Sequence, residues 1–261
     1  MKILFISDIV GGSGRKAVKE KLHLLRERFS PALTVANGEN IAGGFGITPQ
    51  LANELFDMGI DVVTSGNHIW DKKEIMDFLN KEDRLLRPAN YPPGVPGYGS
   101  AVVTAKNGVK VGVLNLMGRV FMANLDCPFR SAKDEIAKMR REGAKVVLVD
   151  MHAEATSEKI ALARYIDGEV TAVIGTHTHV QTADERIFPK GTAYITDAGM
   201  TGPVESVIGV SVEAAVERFL TQTPKRFETA KGPSSVQTVV VTADPETGLA
   251  TAIERVNIDS E

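Results

Sequence analysis

Met1-Lys2-Ile3-Leu4-Phe5-Ile6-Ser7-Asp8 opens the chain. A short apolar run that stops at an acid reads as a buried strand carrying a carboxylate at its end. The pattern then recurs. Leu33–Ala36 runs into Asn37-Gly38-Glu39-Asn40, and Val62–Ser65 runs into Gly66-Asn67-His68. Val146–Asp150 is followed two residues on by His152, and Val170–Ile174 leads into Gly175-Thr176-His177-Thr178-His179. Helix-patterned segments at Gly14–Arg28, Pro49–Met58, Lys72–Asn80, Ala132–Glu142 and Glu158–Ile166 separate these strands. The alternation predicts an α/β layered fold, and open α/β sheets bind ligands at the carboxyl ends of their strands.

Two further segments add antiparallel strands. Ala101–Ala105 and Val109–Leu114 flank Asn107-Gly108, a type I′ hairpin signal, and Val236–Thr242 pairs with Thr251–Val256 around Asp244–Gly248. Mixed β-sheets flanked by helices are therefore expected, in a single domain over residues 1–261. The Pro/Gly-rich stretches Arg87–Gly99 and Asn115–Phe129 read as long loops, the second a candidate lid.

Composition narrows the setting. Apolar residues make up 43% and charged residues 24%, which suffices for a substantial core. A net charge of -3 gives no bulk attraction to nucleic-acid backbones or anionic membranes. A single cysteine, Cys127, excludes an internal disulfide and fits a reducing compartment. The opening apolar run is too short for a signal-peptide core, and no stretch approaches the ~20 apolar residues of a membrane span. A cytoplasmic location is expected; oligomeric state and any RNA target stay open.

The strand ends carry the chemistry. Four of the five histidines stand there, with Asp8, Glu39 and Asn67. Only His23, in a helix-patterned region, does not. Imidazoles, carboxylates and amide oxygens together suit divalent metals, and a carboxylate shared by two ions lets them clamp a phosphoryl group from both sides. Singly, each residue has a structural explanation: Asp8 as a cap, Asn67 or Asn40 as turn formers, the glycines as loop punctuation. Those explanations do not account for a ligand-capable side chain at every strand end. A rival reading takes Gly12-Ser13-Gly14-Arg15-Lys16-Ala17 as a dinucleotide fingerprint with Glu39 on the ribose. It sets Asp8 beside an anionic pyrophosphate and leaves four histidines without a task.

In order and type these residues resemble the calcineurin-like metallophosphoesterases, whose motifs run D-x-H, G-D-x-x-D, G-N-H-[DE], a lone His and G-H-x-H. The departures are Val10 at the usual first-motif His, Glu39 for the bridging Asp, and Ile69 for the acid after Asn67-His68. With Ser7-Asp8-Ile9-Val10-Gly11 and Asn37-Gly38-Glu39-Asn40 they are similar to the YmdB-like branch, over essentially the whole chain. The resemblance implies a phosphodiesterase acting on cyclic nucleotides such as 2′,3′-cyclic AMP, through attack of a two-metal-activated hydroxide. It implies that Asp8, Glu39, Asn40 and His179 hold one metal and that Glu39, Asn67, His152 and His177 hold the other. Asn40 supplies the ligand that Val10 cannot, and His68 donates the proton to the leaving oxygen. The family favours iron; manganese and zinc also suit these donors. A phosphomonoesterase or nucleotidase on the same site, or a non-catalytic metal-dependent nucleotide sensor, are the alternatives. The pocket walls that would decide among them are expected at Asn115–Phe129 and Ile41–Ile47.

Overall fold

Leu4 and Ile6 of the first strand face one way, Ile3 and Phe5 the other, and all four are fully buried. A strand apolar on both faces needs a layer on each side. The chain supplies both. In the computed structural model, which describes residues 1–224 and 228–260, the first half forms β1 (Lys2–Ile6), β2 (Asp8–Ile9), α1 (Gly11–Phe29), β3 (Leu33–Asn37), α2 (Pro49–Asp57) and β4 (Val62–Thr64). A 3-10 turn at Asn67–Trp70 and α3 (Ile75–Leu79) lead to β5 (Ser100–Thr104) and β6 (Lys110–Met117). Then come α4 (Pro128–Arg141), β7 (Val146–His152), α5 (Thr156–Tyr165) and β8 (Ala172–Thr176). The remainder is β9 (Arg186–Ile187), β10 (Ala193–Ile195), β11 (Met200–Pro203), α6 (Val212–Thr221), β12 (Ser234–Ala243) and β13 (Ala250–Ser260).

The strands form two mixed sheets. One has seven strands in the order β2-β11-β12-β1-β3-β4, with β13 also paired to β12; the other has six, ordered β5-β6-β7-β8-β10-β9. Ile3, Phe5, Val35 and Val62 of the first pack against Val113, Leu148, Ile174 and Ile195 of the second. Outside the first sheet, Leu4 and Ile6 meet Val18, Leu22 and Leu25 of α1 and Leu55 of α2. Outside the second, Val147 and Val149 meet Ile136 and Met139 of α4 and Leu162 of α5. The result is four layers, helix on sheet on sheet on helix. Each fully buried aliphatic side chain contributes roughly 1.5–3 kcal/mol.

This architecture corrects one expectation about the site. The five ligand-bearing strand ends do not share one open sheet. β1, β3 and β4 belong to the first sheet, β7 and β8 to the second, and both sheets bring their carboxyl ends to one edge of the interlayer core.

Local details differ too. β6 and β7 run further than expected, so Asn115 to Met117 and His152 are strand residues. The expected helix at Lys72–Asn80 shrinks to α3. Both hairpins form, but only Gly108 of the Asn107-Gly108 pair has positive φ (82°), and Gly108 N–H bonds Ala105 C=O at 2.8 Å. That is a type I turn closed by a left-handed glycine, not type I′. Residues 12–17 lie within α1, whose first amide, Gly11 N–H, bonds Asn40 C=O at 3.0 Å. No open loop remains there to cradle a pyrophosphate, which removes the dinucleotide reading. His23 is exposed on α1.

Candidate metal centre

At the carboxyl edge the interlayer turns from apolar to polar: Asn37, Thr64, Asn115, Asp150 and Thr176 are all fully buried. Asp150 ties this layer together. Its Oδ2 accepts Thr64 Oγ1–H at 2.5 Å and Asn37 Nδ2–H at 3.0 Å, and its Oδ1 accepts Thr176 Oγ1–H at 2.7 Å. Asn37 Oδ1 in turn accepts Glu39 N–H at 3.1 Å. One carboxylate thus sets the backbone that carries Glu39 and, through Thr176, the ring of His152. Burial pushes the Asp150 carboxyl up to about 7, against the lowering pull of its hydroxyl donors.

Above this layer the predicted ligands converge. Glu39, His152 and His177 bring three ligand atoms within 4.8 Å of one another, and so do Asp8, Glu39 and His179. Glu39 belongs to both groups. Its Oε1 lies 3.3 Å from His152 Nε2, and its Oε2 accepts His68 N–H at 3.3 Å. Asn67 Oδ1 is 2.9 Å from His152 Nε2. Asn40 Nδ2 lies 3.5 Å from Asp8 Oδ1, 3.1 Å from Glu39 Oε1 and 3.2 Å from His179 Nε2. An amide NH₂ there faces three acceptors, as a cation would, and turning the amide over offers Oδ1 instead. Gly66 makes room for the approach: a Cβ on it would stand 2.3 Å from His152 Nε2 and 2.4 Å from Glu39 Oε2.

The hydrogen bonds select the imidazole tautomers. Thr176 gives its proton to Asp150, so at 3.0 Å it accepts from His152 Nδ1–H, and His152 Nε2 faces the cluster as a lone pair. His179 Nδ1–H donates to Ile208 C=O at 2.9 Å, which also leaves Nε2 as a lone pair. His177 Nε2 lies 3.2 Å from Glu154 Oε2, and its Nδ1 faces His152 Nε2 at 3.0 Å.

The electrostatics agree with that geometry. Burial first, then the charge of Asp197, pushes Asp8 up to about 8. Burial and the charge of Asp8 hold Glu39 well above the usual carboxylate range. Burial drives His152 well below the ordinary imidazole value and lowers His177 and His179 as well. Crowded buried carboxylates beside neutral imidazoles lack only a positive charge, and metal ligands are needed in these neutral-imidazole forms. The donor set fits divalent metal.

All seven predicted ligands therefore meet. His68 stands at the margin, its Nδ1 2.8 Å from Asp71 Oδ2 and its ring edge-on to Phe45 at 5.0 Å. A cavity of about 550 Å³ opens over the cluster, lined by His68, Phe45 and Gly44 but by no residue of 115–129. That corrects half of the expected wall. Residues 118–120 are pinned beside α5, where the Glu158 carboxylate accepts Arg119 N–H at 3.0 Å and Val120 N–H at 3.2 Å. The other wall is residues 207–210 and α6, a helix absent from the expected elements although Val212, Ala215, Val216, Phe219 and Leu220 recur at helical spacing.

Sequence reading missed the supports: Asp150, Glu154, Asp71, Lys159 and Asp197. Two had a signal. Val146-Val147-Leu148-Val149-Asp150 and Tyr194-Ile195-Thr196-Asp197 are apolar runs ended by an acid, like the opening of the chain. Lys159 had none, being a charged residue in an ordinary helix pattern.

Comparison with known proteins gives the family. The YmdB-like protein family matches residues 4–256. The chain belongs to that family. Among YmdB-like relatives, a Bacillus subtilis (strain 168) protein named 2′,3′-cyclic-nucleotide 2′-phosphodiesterase is 49% identical over 261 residues, covering 100% of this chain and 98% of its own. A Thermus thermophilus protein of known structure superposes with a TM-score of 0.93 at 42% identity, covering 100% of both chains. A Mycoplasma pneumoniae protein described as a novel phosphatase gives 0.92 at 34% identity, covering 99% of this chain and 93% of its own. The fold is the layered metallophosphoesterase type. Among the described residues, no helix is long and apolar enough to cross a membrane.

Proposed function

We propose that this YmdB-like chain is a metal-dependent phosphodiesterase that hydrolyses 2′,3′-cyclic nucleotides. The observation that carries the reading is the pair of three-ligand groups sharing Glu39 at the floor of a cavity. It is joined by 49% identity to a protein named for that activity. Asp8, Glu39, Asn40 and His179 would hold one ion, and Glu39, Asn67, His152 and His177 the second. We read the ions as iron, with manganese and zinc compatible with the same donors. When bound, such ions supply Lewis acidity toward phosphate and water.

The chain's own residues do the rest. Glu39 is the shared carboxylate that keeps the two groups in register. Asp150, through Thr176 and Asn37, keeps His152 and Glu39 oriented. His68, held at Nδ1 by Asp71, has Nε2 for donating a proton to the departing ribose oxygen. The interlayer core common to both sheets supports treating residues 1–261 as one domain, and the lone cysteine supports a cytoplasmic setting.

Steady-state assays on metal-quantified protein test the proposal, using 2′,3′-cyclic AMP, 3′,5′-cyclic AMP and AMP. Turnover of 2′,3′-cyclic AMP with the highest kcat/KM is expected. Preference for AMP would make the protein a phosphomonoesterase, and tight binding without turnover would make it a sensor.

A further inference from the structure

Of the ten residues of α6, only Ala215 is buried, and Phe219 is 75% exposed. A large aromatic left in water on a thinly packed helix calls for an explanation. The helix faces the cavity with Ala215, Arg218 and Phe219, and Gln222 follows at its C-cap. These residues are spaced i, i+3, i+4 and i+7, so they form one helical stripe. Phe45, whose ring touches His68, lines the same cavity. The α6 side is also registered to the metal centre, because Ile208 C=O accepts His179 Nδ1–H.

The cavity therefore has two chemically different parts in fixed relation. Its floor is the carboxylate–imidazole cluster, which needs only a phosphate. Its walls add aromatic and aliphatic surface and the Gln222 amide, which a phosphodiester does not use, beside the Arg218 guanidinium, which suits a phosphate oxygen or a base edge alike. A nucleobase uses that surface and amide, having a flat face that stacks on aromatic rings and an edge of donors and acceptors for groups such as Gln222. A volume of about 550 Å³ lies within the range of small-molecule sites.

We propose that α6 and Phe45 form the nucleobase subsite, with Phe219 the side chain that discriminates base-bearing from base-free phosphodiesters. This rests on the phosphodiesterase reading above, and it adds the group that the remote part of the cavity recognises.

The test compares two substrates with identical reacting atoms: 2′,3′-cyclic AMP and 1-O-methylribose 2′,3′-cyclic phosphate. In Phe219→Ala the ratio of their kcat/KM values, nucleotide over base-free, is expected to fall roughly 5- to 150-fold, mostly through KM. Phe219→Trp should restore it. Equal loss on both compounds, or no change in the ratio, overturns the subsite. Calorimetric binding of adenosine 3′-monophosphate and ribose 3-phosphate separates the two levels. If the parent cleaves neither diester but Phe219→Ala weakens only the adenosine ligand, the subsite stands and the phosphodiesterase reading falls. If both ligands respond alike, the subsite falls whatever the parent hydrolyses.

Discussion

Lys159 Nζ lies 2.9 Å from Asp197 Oδ2, and neither side chain meets solvent. The same oxygen accepts Thr178 N–H at 3.0 Å and Thr178 Oγ1–H at 2.7 Å, while Oδ1 accepts Gly199 N–H at 2.9 Å. Thr178 sits between His177 (φ 99°) and His179 (φ 62°), two non-glycine residues in the left-handed region. Each such residue costs on the order of 1–3 kcal/mol. The charge-assisted bonds to Asp197 offset that cost and hold two imidazoles over the cluster.

Removing one partner of this pair strands the other. Lys159→Met should destabilise the protein by roughly 3–5 kcal/mol, read as a lower denaturant midpoint. Adding Asp197→Asn should recover part of the loss, since a neutral amide needs no cation. An unchanged midpoint in the single variant would show that the pair contributes nothing to the loop.

Thr176→Val keeps the side-chain shape but takes away the acceptor for His152 Nδ1–H. Metal affinity should fall about 10- to 100-fold, the usual effect of losing an outer partner of a ligating histidine. Titration of chelator-stripped protein with Mn²⁺ measures it. Equal affinities in variant and parent exclude the Asp150–Thr176–His152 relay.

Glu39→Ala removes the carboxylate common to both ligand groups. Metal-to-protein ratio and turnover should fall together. Elemental analysis returning the parent's ratio would sink the shared-ligand arrangement.

His68→Ala predicts the opposite combination. Metal content stays, because no ligand group includes the ring, while turnover of a cyclic nucleotide drops roughly 10²- to 10⁴-fold. Turnover at the parent rate would remove His68 from the proton path.

The buried acids make the metal-free protein sensitive to alkali. Asp8 and Asp150 hold their protons in the fold up to about 8 and about 7, but lose them near pH 4 in the unfolded chain. The folded state binds more protons across that window, so stability is greatest below pH 4 on this account and declines as pH rises through 7 to 8. The Tm of chelated protein should drop between pH 5.5 and 8.5 by at least about 2 °C, the effect of roughly 1 kcal/mol or more in a domain of this size. Reloading with metal should raise Tm most at pH 8.5. A flat profile for the chelated protein would mean that these carboxyls are not protonated in the fold.

Much of this was legible because strand ends advertise themselves. An apolar run that stops at Asp8, Glu39, Asn67, His152 or His177 declares both the strand and the chemistry at its tip, since burial tolerates such groups only with partners. Residue order and type were enough for the α/β layering, both hairpins and six of the candidate ligands, with Asn40 added by the family resemblance. That these ligands come from two sheets rather than one emerged with the folded chain, because strand order depends on long-range pairing that local pattern does not encode. The supports emerged there too, Asp150 beneath Thr176 and Lys159 beneath Asp197, whose roles lie in partners 26 and 38 residues away. So did the placing of α6 over the cavity instead of residues 115–129. Val212, Ala215, Val216, Phe219 and Leu220 recur at helical spacing, so the helix itself is readable from the sequence, but what it covers is set by the loops that carry it there.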